Sequence, residues 1–233
     1  MPNRICRIII PDTGLLISLE RADLLWTLVT LEKELIIPLA VLYELDARTV
    51  ENPSPLWKAQ AAKIKSFLDD FGVLWLRTRS SIKMEQAIFN LEKLQYQAQI
   101  SPKKEIFEQI WAIRKSVRHA GENGIVEIID YIFFTNTLSS PVLILYEDKR
   151  IPLLRIAVPD LNDLETFPDT MVHLVGIRGF LLGLERMGII DSAKDAINTI
   201  ESKDESGVPR FIEDNKENED LPSVGGSKWK TKR

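Results

Sequence analysis

The sequence predicts an α/β domain with a mostly parallel sheet, and two observations carry that expectation. Short apolar runs rich in β-branched residues recur at 5–10, 35–37 and 141–146. Their length and composition suit buried strands. Between them lie stretches of helical periodicity, and strands that alternate with helices build parallel sheets through crossover connections.

The first strand is read at 5–10, interrupted only by Cys6 and Arg7, with Pro11 as its stop. Asp12-Thr13-Gly14 follows as a turn, then helical stretches at 15–19 and 22–29. A second strand at 35–37 is ended by Pro38, which lacks an amide N–H. A helix is expected over 40–47, a loop at Asn52-Pro53-Ser54-Pro55, an amphipathic helix over 57–71 and a strand over 72–76. The middle of the chain reads as helical. The stretch 82–97 places Met84, Ile88, Leu91 and Leu94 near one face. Ser101-Pro102 has the form of an N-cap with proline at the first helical position, and Glu105 and Glu108 favour that end of a helix reaching Val117. Gly121 is expected to break it, and 122–134 to form the next helix. After the strand at 141–146 comes Glu147-Asp148-Lys149-Arg150. A last strand is expected at 171–175, and helices at 179–187 and 192–202. From about residue 213 the composition turns polar and charged, as in a disordered tail that buries too little surface to offset its ordering entropy.

A formal net charge of -4 provides no global basic field, which disfavours a protein that merely coats nucleic acid and leaves open an enzyme with a local basic rim. A lone cysteine, Cys6, forms no internal disulfide and suits a reducing compartment. The first ten residues lack the order of a signal peptide, and no apolar run approaches the roughly 18 residues of a membrane span. A cytoplasmic chain is the expectation. His119 and His173 lack metal-ligand spacing, and neither a Cys–His zinc pattern nor a phosphate-binding glycine loop is present.

Acidic residues stand at the ends of these elements. Asp12 directly follows the first strand and Asp148 follows the late apolar strand; parallel neighbours would deliver both to one sheet edge, where α/β sites form. Glu44 lies early in the helix after the second strand, and Glu122 begins the helix leading to the late strand. Converging carboxylates repel unless one takes a proton or a cation joins them. A hard divalent ion such as Mg²⁺ accepts oxygen ligands, and phosphodiester hydrolysis is chemistry such an ion supports. Taken singly, each acid has a bland reading: Asp12 as an N-cap, Glu44 as a solvated side chain, Glu122 as a favourable first-turn acid, Asp148 as a turn closed by Lys149 or Arg150. Glu127, one turn beyond Glu122, and Glu147, beside Asp148, are auxiliary candidates. Thr13 and Ser18 can hydrogen-bond the acids, although helix capping is the reading their type favours. Arg114, Lys115 and Arg118, with Lys149 and Arg150, form a candidate RNA-binding rim against a solvated-face alternative. Trp26, Trp57, Trp75 and Trp111 sit among apolar residues and are expected in the core or an interface.

These residues resemble the PIN-domain nucleases. Ile10-Pro11-Asp12-Thr13-Gly14-Leu15-Leu16 is similar to that family's opening strand and first acid, and Ile37-Pro38-Leu39-Ala40-Val41-Leu42-Tyr43-Glu44 to its second motif. Gly121-Glu122 resembles the third motif, and Leu143-Ile144-Leu145-Tyr146-Glu147-Asp148 the fourth, over roughly residues 4–155. Downstream, Val175-Gly176-Ile177-Arg178-Gly179-Phe180 looks like a glycine-spaced passage of a toxin-like bacterial and archaeal branch. The resemblance implies a PIN-like (flavodoxin-like), mostly parallel sheet in residues 1–155, with a helical insertion at about 82–118. A C-terminal strand and helix extension at 156–205 and a tail at 213–233 complete the expected layout. It further implies an endoribonuclease dependent on Mg²⁺ or Mn²⁺, with Asp12, Glu44, Glu122 and Asp148 as metal ligands and catalytic acids. RNA as substrate, a homodimer and an antitoxin protein as partner are implied too. Ile177 departs from the threonine often found in that passage, and Asn123-Gly124 departs from the small residues and further acid that usually follow the third motif. Those departures motivate two alternatives: a catalytically weakened binding or assembly protein, or a structure-specific DNA nuclease.

Overall fold

The computed structural model describes residues 8–31, 33–51, 55–134, 142–147 and 172–202. Five strands form one all-parallel sheet: β1 (Ile8–Pro11), β2 (Glu34–Pro38), β3 (Leu74–Leu76), β4 (Val142–Tyr146) and β5 (Val172–Gly176), in the order β3-β2-β1-β4-β5. The helices are α1 (Thr13–Arg21), α2 (Thr27–Thr30), α3 (Leu39–Glu51), α4 (Pro55–Asp70), α5 (Arg79–Ile100), α6 (Lys104–Ser116), α7 (Ala120–Phe134), α8 (Ile177–Arg186) and α9 (Ala193–Ser202). The expected α/β class and parallel sheet are thus present.

Alternation along the strands explains the layering. Ile9, Leu35, Ile37, Leu145 and Val175 point to one face, where α1, α4, α8 and α9 bury their apolar stripes. Ile8, Ile10, Ile36, Val142, Ile144 and Tyr146 point to the other, against Ile125, Ile128 and Ile129 of α7. Burial on both faces is why these strands read as continuous apolar runs instead of alternating ones. A third apolar group joins α3, α5 and α7 through Ala40, Ala47, Met84 and Ala120.

The sheet's connection pattern reverses at β1. The chain leaves β1 toward β2 and β3 on one side, while β4 and β5 lie on the other. Strands β1 and β4 run in register, Ile8 with Val142 through Pro11 with Leu145. A crevice outside the carboxyl ends of two such strands is where open α/β sheets hold their ligands.

Several boundaries differ from the sequence reading, for local physical reasons. The expected helix at 22–29 shrinks to Thr27–Thr30, because Ala22 caps α1 and Asp23 takes a left-handed φ of 60°. Ser101 does not cap α6; its N–H bonds Gln97 and closes α5, so α6 starts at Lys104 with Lys103 as its N-cap. Gly121 does not break a helix. The break falls at 117–119, where His119 has φ 74°, and Gly121 sits inside the first turn of α7. Pro11 and Pro38 end their strands from within. Trp26 and Trp111 lie outside the core, 42% and 65% exposed, whereas Trp57 and Trp75 pack against it. Asp148, Lys149, Arg150, Cys6, residues 156–171 of the expected extension and the 213–233 tail lie outside the described residues. Among the described residues no helix is long and apolar enough to cross a membrane.

Candidate functional site

Asp12 leaves β1 at the reversal point and is buried, 4% exposed. Its backbone N–H continues the ladder to Leu145 O at 2.8 Å. As the N-cap of α1, its Oδ1 accepts the Leu15 N–H at 2.6 Å. The other oxygen, Oδ2, accepts the Glu147 N–H at 3.1 Å, which ties the end of β1 to the end of β4. The helix's positive end and two N–H donors together favour the ionised carboxylate.

Glu44 arrives from α3. Its Oε2 accepts the Thr13 hydroxyl at 2.5 Å, and its Oε1 accepts the Gly121 N–H at 2.7 Å. Thr13 therefore does not serve as the cap; Asp12 does, and the threonine hydroxyl holds an acid. The second contact uses the space a glycine leaves. A Cβ at Gly121 would stand 2.6 Å from Glu44 Oε2 and 2.9 Å from Cδ, so a larger residue forces the end of the Glu44 side chain to shift. Gly124, one turn further, serves the same approach: its missing Cβ would lie 3.0 Å from that of Pro38 and 3.2 Å from that of Ala40. The Asn123-Gly124 departure thus lets α7 pack closely on the β2–α3 corner.

Glu122 follows directly, in the first turn of α7, 9% exposed, and His119 Nδ1 lies 3.4 Å from its Oε1. Two hydrogen bonds thus link the segments that carry three of the four predicted acids: Thr13, next to Asp12, and Gly121, next to Glu122, both donate to Glu44. The fourth, Asp148, lies outside the described residues. Its neighbour Glu147 accepts the Ser18 hydroxyl at 2.6 Å, so Ser18, like Thr13, spends its hydroxyl on an acid rather than on a cap.

Glu127 points elsewhere. Its carboxylate accepts the Ser80 N–H at 3.1 Å and the Ser80 hydroxyl at 2.8 Å, fastening α7 to the first turn of α5. Of the expected rim, Lys115 lies over the Trp111 ring at 5.2 Å, Arg114 is half-buried on α6, and Arg118 is exposed in the turn before α7. Sequence reasoning missed Gly121 as a donor to Glu44; a glycine immediately before a first-turn acid was the available signal. Among the described residues, no group of three or more His, Cys, Asp or Glu side chains is arranged to hold a metal ion. The donors present are nonetheless hard oxygens, and Mg²⁺ is commonly held by one or two carboxylates with waters completing its shell. Asp12 and Glu44, joined through Thr13, are two such carboxylates. No family model, curated protein or solved structure matches the chain.

Proposed function

We propose that the chain is a divalent-metal-dependent endoribonuclease of the PIN-domain type. The observation that carries this reading is that Thr13, next to Asp12 at the sheet's reversal point, and Gly121, next to Glu122, both hydrogen-bond the Glu44 carboxylate, which links the β1, α3 and α7 segments that carry the three acids. Asp12 and Glu44 would hold Mg²⁺ or Mn²⁺, joined by Glu122 and, from the end of β4, by Asp148. When bound, such an ion polarises the phosphoryl oxygen and stabilises the leaving oxygen. The chain's own contribution is positional. Leu15 and Glu147 N–H groups fix the Asp12 carboxylate, while Thr13 and Gly121 fix that of Glu44. Glu44 and Glu122 would complete the cluster and orient the attacking water, and no covalent enzyme intermediate is expected. Cleavage of a labelled single-stranded RNA in Mn²⁺ by the parent chain, and its loss in Asp12→Asn, is the expected result. Cleavage without metal, or by Asp12→Asn at the parent rate, overturns the mechanism.

One observation favours a second reading, a binding protein on the same fold with catalysis weakened. Both oxygens of Asp12 and both of Glu44 already accept protein hydrogen bonds. Thermal melting with Mn²⁺ separates the two. A ligand at a hundredfold its Kd stabilises by about 2.7 kcal/mol, worth about 5–11 °C in a chain of this size. A shift of that order supports an intact site; no shift at millimolar Mn²⁺ supports the scaffold.

A further inference from the structure

Helix α6 presents two apolar sides, and among the described residues one of them packs against the fold. Ile110 is buried at 7%, with Ile106, Ile113 and Val117 half-buried around it, and this side attaches α6 to α5. Phe107 and Trp111 stand one turn apart on a different flank, 53% and 65% exposed. Lys104, Phe107, Trp111, Lys115 and Arg118 recur at spacings of three and four residues, so they form one stripe that continues into the turn before α7. Lys115 already lies over the Trp111 ring.

We propose that this stripe is a stacking and phosphate-contact surface for an unpaired nucleic-acid strand. The proposal names how the ribonuclease of the preceding section holds its substrate, and so rests on that reading. Exposed aromatics flanked by cations are the elements from which single-strand sites are built, since every base offers a ring face and every nucleotide a phosphate. Charge selects this occupant. Residues 103–118 carry five cations, Lys103, Lys104, Arg114, Lys115 and Arg118, against the carboxylates Glu105 and Glu108, in a chain whose net charge is -4. Glu108 does sit along the stripe, where it pairs with Lys104 at 3.4 Å. A longer exposed apolar row among the described residues, Ile82, Phe89, Tyr96 and Ile100 on α5, has Lys93 within it but Glu85 and Glu92 along its flank, so it lacks the cation excess of the α6 stripe.

Position supports the same occupant. Arg118 is three residues from Gly121, the backbone donor that holds Glu44, so the two Cα atoms lie within about 11 Å. Trp111 is a further seven residues, about two turns, back along the stripe. A strand stacked on Phe107 and Trp111 and held at Arg118 would thus reach the segment that leads into Gly121 and Glu122.

The test measures fluorescence anisotropy of a labelled 12-nucleotide RNA with the full chain in EDTA, where no metal-dependent cleavage occurs. Phe107→Ala and Trp111→Ala should each weaken binding about 5- to 150-fold, the range that loss of one base stack produces. Trp111→Phe should restore most of it, and a duplex of the same sequence should not distinguish parent from variant. Lys115→Ala should flatten the dependence of log Kd on log salt by about 0.7, one phosphate contact on a single strand. All three residues are exposed, and unchanged circular dichroism and melting confirm that the variants fold. Binding by Phe107→Ala and Trp111→Ala within twofold of the parent overturns the proposal, as does a parent chain that binds no single strand. Variants that lose self-association in sedimentation while keeping RNA affinity overturn it too, and make the stripe a protein interface. Cleavage in Mn²⁺, assayed separately, keeps the two readings apart: a chain that binds through Trp111 but does not cleave retains the surface and loses the nuclease.

Discussion

Replacing Gly121 by alanine tests whether the first turn of α7 is shaped by Glu44. On propensity alone the change should help, because glycine inside a helix costs about 0.5–1 kcal/mol relative to alanine. The structure reverses that sign. The added methyl carbon would lie 2.6 Å from Glu44 Oε2 and 3.0 Å from Oε1, so the carboxylate must shift and forfeits the 2.7 Å bond from the Gly121 N–H. A hydrogen bond to a charged group contributes about 1.5–3 kcal/mol. The balance is a loss of about 0.5–2.5 kcal/mol. With Glu44→Ala already in place the obstacle is gone, and the same Gly121→Ala change should stabilise by about 0.5–1 kcal/mol. Urea unfolding of the four chains of this cycle gives the coupling directly, and the unpaired Gly121 N–H left by Glu44→Ala cancels between the two members that share it. A coupling of about 1.5–3 kcal/mol and a change of sign are expected. An effect of Gly121→Ala that is the same in both backgrounds, within about 0.5 kcal/mol, would refute the contact and with it the route by which Glu44 reaches the site.

Asp12→Asn keeps an oxygen for the Leu15 N–H but turns an amide toward the Glu147 N–H, so a loss of about 1–3 kcal/mol with cooperative unfolding retained is expected by denaturant titration. A stability equal to the parent's would mean that Asp12 does not join β1 to β4. Glu127→Ala removes the acceptor of both Ser80 donors and should cost about 1–3 kcal/mol, measured by chemical unfolding; a neutral effect would release Glu127 for the auxiliary role its sequence position suggests. Burial first, and then the Glu85 charge, raise the Tyr43 phenol above its ordinary value. Its contribution to stability is therefore complete below about pH 10, where the unfolded phenol titrates, and is lost as pH rises toward the folded value. Stability of the parent should fall more steeply above pH 10 than that of Tyr43→Phe. Parallel curves for the two would contradict the shift.

The sequence alone determined the fold class. Strands β1, β2 and β4 were legible because burial on both faces of a parallel sheet demands unbroken apolar, β-branched runs, which are visible without coordinates. It also placed Asp12 at the end of β1, Glu44 in the helix after β2 and Glu122 at the start of α7. Tertiary structure decided what those ends touch. Ser101 looked like a cap because capping chemistry is local, yet α5 runs on to Ile100 and uses the Ser101 N–H to finish. Gly121 looked like a breaker because its cost is local, whereas its purpose, room for a carboxylate from 77 residues away, is not. Thr13 and Ser18 had a neighbouring amide as their obvious partner, and each instead donates to an acid delivered by another strand–helix unit. Trp111 was expected in the core or an interface on its apolar neighbours; helical geometry turns Ile110 inward, which excludes the core and leaves Trp111 facing solvent. Side-chain periodicity is written in the chain. Which distant segment meets each face is decided only when the sheet order brings β4 beside β1.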